Sequence, residues 1–196
     1  MAPTPLYGRT FPDELEAQRS ALSEDPDLAD FLESRRALAT DPYRPLFHFS
    51  PPQGSMNDPN GLCQWDGRFH LFYQFLPNGG NPDNDNRVHW GHTVSEDLIR
   101  WTDLPPALYP TTEHHCYSGQ TLVEPDRVVA MYHGTESGNS IATATDPLLL
   151  NWVKHPANPV IPMVPIDADG FPYRVFDPCI WKEDDGYYAI SRTYKD

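Results

Sequence analysis

Hydrophobic positions follow two different spacings along the chain. Between residues 1 and 45, apolar side chains recur at roughly helical spacing among Glu, Asp, Arg and Ala, at Leu15, Leu22, Leu28, Phe31, Leu32 and Leu38. This spacing predicts two short amphipathic helices with a break near Asp25-Pro26. The prolines at positions 42 and 45 stop helical structure, because proline lacks a backbone donor and biases the preceding residue toward extended backbone. We therefore predict a helical, acidic N-terminal extension at residues 1–45 and a separate domain at 46–196.

From residue 46 onward the pattern changes to short runs typical of β-strands. Residues 68–75 and 128–133 are clear examples, and turns rich in Gly, Pro, Asn and Asp separate such runs. Many of the 22 prolines lie at joints such as 104–106 and 158–159, where an all-β chain tolerates a missing donor. The second domain is therefore predicted to be all-β.

An internal repeat divides the strands into units. Asp58, Ser118 and Asp177 each precede a predicted strand pair, and they lie 60 and 59 residues apart (118 − 58 = 60; 177 − 118 = 59). A second repeat, at 95–101 and 145–152, closes each unit with a tryptophan. A period of this length is in the range of propeller blades. The chain thus predicts two blades and the start of a third, whereas a closed propeller typically has about 4 to 8. An ordinary β-sandwich is the alternative, and the paired repeats argue against it.

The net charge disfavours several classes of partner, and the cysteine content indicates a compartment. With 28 acidic and 14 basic side chains, the net charge is −14, which disfavours nucleic acid and anionic membranes. The chain shows no signal-peptide pattern and no apolar run of about 18 residues. The cysteines, Cys63, Cys116 and Cys179, lack CxxC spacing, so we expect reduced thiols and a cytoplasmic protein.

Histidines and carboxylates suggest a metal site, particularly in the string Glu-His-His-Cys at residues 113–116. Adjacent side chains on a strand point to opposite faces, so these residues cannot readily converge on one ion. We expect a polar loop there, with no metal and no cofactor.

The ordered motifs of the second domain resemble glycoside hydrolase family 32, which includes invertases, inulinases, levanases and fructosyltransferases. The resemblance covers about residues 43–196. It rests on Met-Asn-Asp-Pro-Asn-Gly at 56–61, the strand at 68–75, Trp-Gly-His at 90–92, Tyr-Ser-Gly at 117–119 and Asp-Pro at 177–178. It implies a five-bladed β-propeller with substrate in a funnel at its axis, of which this chain would form the first two to three blades.

The resemblance also implies roles for individual residues. The aspartate of the Asn-Asp-Pro motif is the family's nucleophile, a role that falls to Asp58, and Asp177 matches its transition-state stabiliser. The implied substrate-binding residues are Asn57, Gln74, Trp90, Tyr117, Ser118 and Arg174. A carboxylate suits this chemistry because retaining glycosidases attack the anomeric carbon with one carboxylate, while a second carboxylic acid about 5 to 5.5 Å away protonates the leaving group.

Two departures from the family pattern stand out. The second acidic motif normally reads Arg-Asp-Pro, but Phe176 precedes Asp177 here and the nearest arginine is Arg174. In a regular strand Arg174 and Asp177 point to opposite faces, so either a bulge redirects the arginine or its contact is missing. The family's acid/base glutamate, in a Glu-Cys motif, does not appear by Asp196. The glutamates at 113, 124, 136 and 183 stand in no such motif.

These observations predict retaining cleavage of terminal β-D-fructofuranosyl residues from sucrose or fructans. Because the acid/base glutamate is missing, we expect the chain alone to be inactive and to need a complementary half of the propeller, or to self-associate. Inulin, levan and sucrose remain open as substrates, as does transfer rather than hydrolysis. One alternative is a non-catalytic fructan-binding or regulatory half-propeller. Another is a related glycosidase that acts on pentosides, which the Asn-Asp-Pro-Asn-Gly and Trp-Gly-His strings disfavour.

Overall fold

The computed structural model describes residues 9–45, 47–77, 86–163 and 174–194. Within these ranges, helices α1 (Leu15–Ser23) and α2 (Pro26–Leu38) precede eleven strands. The strands are β1 (Ser55–Trp65), β2 (Arg68–Leu76), β3 (His89–Ser95), β4 (Thr102–Leu108), β5 (Cys116–Val123), β6 (Val128–Gly134), β7 (Gly138–Ala144), β8 (Val153–Lys154), β9 (Ile161–Pro162), β10 (Arg174–Glu183) and β11 (Gly186–Tyr194).

The strands form antiparallel sheets in chain order. Strands β1 to β4 make the first blade, and β5 to β8 make the second, in which β9 also pairs with β7. Strands β10 and β11 begin a third blade. The predicted all-β architecture, two blades and part of a third with a helical N-terminal extension, is confirmed. Neither helix in the described ranges has the length and apolar character needed to cross a bilayer.

The first two blades share one hydrophobic core. Phe72 and Trp90 of blade 1 and Tyr132 of blade 2 are fully buried in it, and the Trp90 and Tyr132 rings lie 6.0 Å apart. Burying a large apolar side chain contributes roughly 1.5–3 kcal/mol, so these residues bind the blades together. Blade 3 joins through Ile180, which packs with Val129 and Met131. Face-to-face packing of the three blades brings their first strands, β1, β5 and β10, close together.

The helical extension packs on both complete blades. Asp25 caps α2 by accepting hydrogen bonds from the backbone N–H groups of the next turn, so the predicted break at Asp25-Pro26 is present. Phe31 packs edge-on against Phe75 of blade 1 with ring centroids 6.0 Å apart. On α1, the buried Gln18 amide donates to Asp146 of blade 2 over 2.6 Å. The division of the chain into two domains at residue 45 stays a prediction.

Each inner strand carries a β-bulge at the position of the sequence repeat. In β1, β5 and β10, two residues on the inner strand lie opposite one residue on its partner. The extra residue falls at Asn57-Asp58, Tyr117-Ser118 and Phe176-Asp177. A bulge bends the strand and re-aims its side chains. The repeat that is visible in the sequence is therefore a repeat of bulges.

One residue on the second strand of each blade lies opposite the bulge. The register places Gln74 between Phe75 and Tyr73, the partners of the residues that flank the first bulge. By the same rule His133 lies opposite the second bulge and Arg192 opposite the third. These three positions are 59 residues apart (133 − 74 = 59; 192 − 133 = 59). They are therefore equivalent positions of the repeat.

Candidate active site

An open pocket of about 340 Å³ lies where the three bulges meet. Its described lining consists of Ser55, Asn57, Asp58, Gln74, Leu76, Val88, Tyr117, Ser118, Phe176 and Asp177. Both residues of every bulge belong to this lining. In a regular strand, neighbouring side chains point to opposite faces, so only a bulge lets both members of a pair reach one cavity.

Asp58 is held in the pocket by two other strands. The Ser118 hydroxyl of β5 donates a hydrogen bond of 2.5 Å to Asp58 Oδ2. The Gln74 amide of β2 donates to the same oxygen over 3.2 Å and to Ser118 Oγ over 2.7 Å. Asp58 itself is exposed, whereas Gln74 is buried. The carboxylate is thus oriented through one oxygen by fixed donors while it stays accessible from the pocket.

Asp177 faces the same pocket from the third blade. Its Oδ1 atom is buried and has no hydrogen-bond partner among the described residues. Buried polar atoms in folded proteins are nearly always hydrogen-bonded, so an unpaired one calls for a reason. The oxygen is thus left able to accept a hydrogen bond from a donor on a bound ligand.

Tyr117 forms an aromatic side of the pocket. Its ring stacks on His115 with the centroids 5.1 Å apart and the planes 1° apart. The backbone carbonyl of Tyr117 accepts a hydrogen bond of 2.8 Å from the Trp90 indole. His115 is held in turn by the Val88 N–H, which donates to its Nδ1 over 3.0 Å. Tyr117 is therefore fixed by neighbours on both sides.

Trp90 does not line the pocket, contrary to the expectation from the sequence. Its side chain is 0% exposed and packs in the core between blades 1 and 2. The indole N–H donates to the Tyr117 carbonyl behind the pocket wall. Packing and this one hydrogen bond account for the residue, so its contribution to the site is indirect.

Arg174 is also absent from the described lining. It stands at the start of β10 opposite Tyr194, and the bulge follows it at Phe176-Asp177. The sequence left open whether a bulge redirects Arg174 or its contact is missing. A bulge is present, but it is Phe176, and not Arg174, that lines the pocket. An aromatic ring therefore lies beside Asp177 where the family pattern has a guanidinium group.

Asp58 and Asp177 are the carboxylates of the described lining. The buried carboxylate of Glu113 pairs with Lys154; burial alone would raise its pKa, but this ion pair and further hydrogen bonds lower the pKa to about 2. Hydrogen bonds from Lys182 and Arg127 likewise lower the pKa of Glu124 to about 2. Glu136 and Glu183 are exposed and do not line the pocket. Within the described residues, therefore, no glutamate is placed to protonate a leaving group.

The polar string at 113–116 is occupied by structural contacts. Cys116 Sγ donates to Glu113 over 3.2 Å, and His115 serves Val88 and Tyr117 as described. Across the described ranges, His, Cys, Asp and Glu side chains form no group of three or more that could hold a metal. The three cysteines are free thiols, with Cys63 and Cys116 buried and Cys179 exposed.

Four lining residues were not identified from the sequence as site residues: Ser55, Leu76, Val88 and Phe176. Ser55 and Leu76 pair across the ladder next to the first bulge. Phe176 belongs to a bulge itself. The shared Asp-Pro at 58–59 and 177–178 is the sequence signal that could have marked these bulges, because each proline directly follows the bulge pair.

Residues 48–195 match the model of the glycosyl hydrolases family 32 N-terminal domain. A β-fructofuranosidase of Oryza sativa, insoluble isoenzyme 6, is 40% identical over 160 residues, which are 76% of this chain and 26% of that protein. The chain spans about a quarter of the length of the first curated relatives it matches.

Two solved structures show the same fold. The family 32 β-fructofuranosidase of Bombyx mori is 36% identical with a TM-score of 0.65, covering 89% of this chain and 37% of that one, and a mutant of it is solved in complex with sucrose. Fructan 1-exohydrolase IIa of Cichorium intybus, as a variant in complex with 1-kestose, is 36% identical with a TM-score of 0.64, covering 77% of this chain and 30% of that one. From the family match, these relatives and the pocket geometry, the chain belongs to glycosyl hydrolase family 32.

Proposed function

We propose that this chain carries the nucleophile half of a retaining β-fructofuranosidase site, which cleaves terminal β-D-fructofuranosyl residues from sucrose or fructans. The observation that carries the proposal is the Asp58 carboxylate, accessible from the pocket and oriented by Ser118 and Gln74. The relatives support the substrate class, since the Bombyx mori structure holds sucrose and the Cichorium intybus structure holds 1-kestose.

In the proposed reaction, Asp58 attacks the anomeric carbon of the fructosyl unit. A bond forms between the carboxylate and that carbon while the bond to the leaving oxygen breaks, and the leaving oxygen must receive a proton. Water then cleaves the fructosyl ester, so two displacements retain the configuration. Asp177 accepts a hydrogen bond from a fructosyl hydroxyl through Oδ1, and Asn57 provides a further polar contact from the first bulge.

The proton donor is proposed to come from a complementary part of the propeller. The described pocket offers two aspartates and no glutamate. Blade 3 also presents an apolar face, where Trp181 and Tyr188 stack at 5.8 Å and Ile190 is 64% exposed. Exposed apolar faces and strand edges favour association. Packing of further blades on this face would bring a proton donor to the ring.

The direct test uses the 196-residue chain with and without a second polypeptide that carries later blades of a family 32 propeller. Hydrolysis of sucrose and inulin is assayed, and the mass in solution is measured. We expect no hydrolysis by the chain alone and hydrolysis by the assembly, abolished by Asp58→Asn. A soluble monomer of the chain that hydrolyses sucrose at an ordinary enzymatic rate contradicts the proposal of a missing proton donor.

A non-catalytic fructan-binding half-propeller is the competing function. Its supporting observation is the same lack of a glutamate in the described lining. The two functions differ in covalent chemistry, because a binding module forms no fructosyl ester on Asp58. A fructan-binding chain that never forms this ester, even in a complete assembly, establishes the alternative.

We further propose a cytoplasmic location. The support is that the three cysteines are unpaired, as is usual in a reducing compartment. Cell fractionation with an antibody against the chain tests this; recovery outside the cytoplasm contradicts it.

A further inference from the structure

The internal repeat makes His133 the counterpart of Gln74. Each lies on the second strand of its blade, opposite the bulge of the inner strand. Each also pairs with a third-strand residue that donates to the next blade. Trp90, the partner of Gln74, donates to the carbonyl of Tyr117 over 2.8 Å. Asn139, the partner of His133, donates to the carbonyl of Phe176 over 3.3 Å.

Those two carbonyls are equivalent as well. Tyr117 and Phe176 are the first residues of the second and third bulges. A bulge leaves backbone groups without ladder partners, and buried backbone groups must find others. At the third bulge, the Asn139 amide donates a hydrogen bond to the Phe176 carbonyl. The Phe176 N–H donates to Ser191 Oγ over 3.1 Å. The conformation that directs Phe176 and Asp177 to the pocket thus depends on side chains of neighbouring strands.

His133 contacts this arrangement directly. Its ring packs on Phe176 with centroids 4.4 Å apart, and its Nδ1 lies 3.1 Å from Asn139 Oδ1. Both His133 and Asn139 are buried. Because the Asn139 amide nitrogen donates to Phe176 and to Ser191, its oxygen must accept from His133. His133 therefore carries its proton on Nδ1, and Nε2 is the acceptor of the neutral ring.

The carboxylate of Asp177 affects the pKa of His133. Burial lowers the pKa of His133, while the Asn139 hydrogen bond and the Asp177 carboxylate act in the opposite direction. In blade 1 the equivalent residue, Gln74, bridges its own bulge and the next one by contacting Asp58 and Ser118. His133 occupies the same place between the second bulge and the third.

We propose that His133 is a positioning residue of the pocket, supporting Phe176 and Asp177 on the third blade as Gln74 supports Asp58 and Ser118. The inference deepens the proposed function and rests on it, since it assigns the residue to the binding of the fructosyl unit. His133 acts through Asp177 and Phe176 rather than on the reacting atoms.

The first test is a proton NMR titration of the His133 ring in the full chain, assigned by comparison with His133→Gln. In Asp177→Asn the pKa of His133 is expected to fall, because the attracting carboxylate is gone. A histidine with only a structural role away from Asp177 does not respond. An unchanged pKa in Asp177→Asn overturns the inference, and this readout requires no sugar.

The second test is the affinity for fructose, measured by calorimetry on the full chain. His133→Phe keeps the packing on Phe176 but loses the polar edge, and we expect affinity to fall by about tenfold, the size of one lost hydrogen bond in a buried network. His133→Gln, which installs the residue used in blade 1, is expected to keep affinity within about threefold of the wild type. Equal affinity of wild type and His133→Phe overturns the inference while leaving the proposed function intact. If the wild type binds no fructose, the proposed function itself is contradicted.

Discussion

The hydroxyl of Ser118 on the second blade donates a hydrogen bond of 2.5 Å to the carboxylate of Asp58 on the first. The orientation of the proposed nucleophile therefore depends on the contact between two blades. That contact in turn depends on two bulges, at Asn57-Asp58 and at Tyr117-Ser118, which bring the side chains to the same cavity.

Loss of the Ser118 hydroxyl is expected to slow attack by Asp58. Hydrogen bonds to charged groups contribute about 1.5–3 kcal/mol, so Ser118→Ala should slow formation of the fructosyl ester by about tenfold or more. Ser118→Thr keeps the hydroxyl and serves as the control. The rate is measured in the complete assembly by quenched-flow mass spectrometry. Equal rates for Ser118→Ala and wild type show that this hydrogen bond does not position Asp58.

Asp177 is expected to act more strongly on the transition state than on substrate binding. Its partner-free Oδ1 can accept from a fructosyl hydroxyl, an interaction that strengthens as positive charge develops on the sugar. Asp177→Asn in the complete assembly should therefore lower kcat by about a hundredfold or more while KM changes less. Steady-state kinetics on sucrose decide this. A large rise in KM with kcat unchanged assigns Asp177 to ground-state binding alone.

The ladder next to the second bulge has no room for a side chain at Gly119. A Cβ there meets the backbone carbonyl of Met131 far inside van der Waals contact. Backbone cannot move aside cheaply, so Gly119→Ala should destabilise the fold by about 2–4 kcal/mol. Gly186→Ala is the matched control, because nothing lies within 4 Å of a Cβ at that glycine. Urea unfolding of both variants tests the difference; a Gly119→Ala chain as stable as the control contradicts the geometry of this ladder.

Acid is expected to destabilise the chain through a buried histidine pair in blade 1. His70 Nδ1 lies 3.0 Å from His92 Nε2, and both rings are buried. Burial lowers the pKa of His70 from 6.5 to about 4 and lowers the pKa of His92 as well. At His70 the unfolded chain therefore binds a proton as the pH falls through 6.5, whereas the folded chain binds it only near pH 4.

Because of this difference in proton binding, the folded chain loses stability as the pH falls. The contribution of neutral His70 to the free energy of unfolding is fully present above pH 6.5 and is lost as the pH falls toward 4. This contribution is about 3 kcal/mol. His70→Phe should reduce the slope of unfolding free energy against pH, and His48→Gln, at an exposed histidine outside the buried pair, is the control. Denaturant unfolding across this pH range measures the slope. A slope that is identical in His70→Phe and wild type rules out the buried pair as its source.

The repeat of 59 and 60 residues allowed the blades to be predicted from sequence. It placed Asp58, Ser118 and Asp177 at equivalent points, because identical backbone geometry in each blade needs similar residues at the same spacing. Alternation within β2 and β6 then predicted their strands. The order of the polar motifs can be read directly from the sequence, because it does not depend on tertiary contacts.

What could not be predicted is the direction of side chains around the bulges. An inserted residue reverses the alternation, so counting from Asp177 could not decide whether Arg174 or Phe176 meets the pocket. Trp90 lies in a recognisable motif, but its burial depends on how blade 2 packs over it. His133 was not identified because its relation to Asp177 depends on the packing of blade 2 against blade 3. These properties depend on tertiary contacts, which the local sequence pattern does not specify.

The function proposed for this pocket depends on a covalent bond between Asp58 and fructose. The most direct measurement uses β-D-fructofuranosyl fluoride, whose leaving group needs no proton, so the first step does not require the proton donor that we propose to come from a complementary part of the propeller. The chain is mixed with this compound, digested and mapped by mass spectrometry. We expect a fructosyl ester on the peptide that contains Asp58, absent in Asp58→Asn and retained when the exposed Asp66 on the neighbouring turn is changed to Asn. A fructosyl ester on Asp177 or on any other residue, or none at all in a folded chain that binds fructose, contradicts the assignment of Asp58 as the nucleophile.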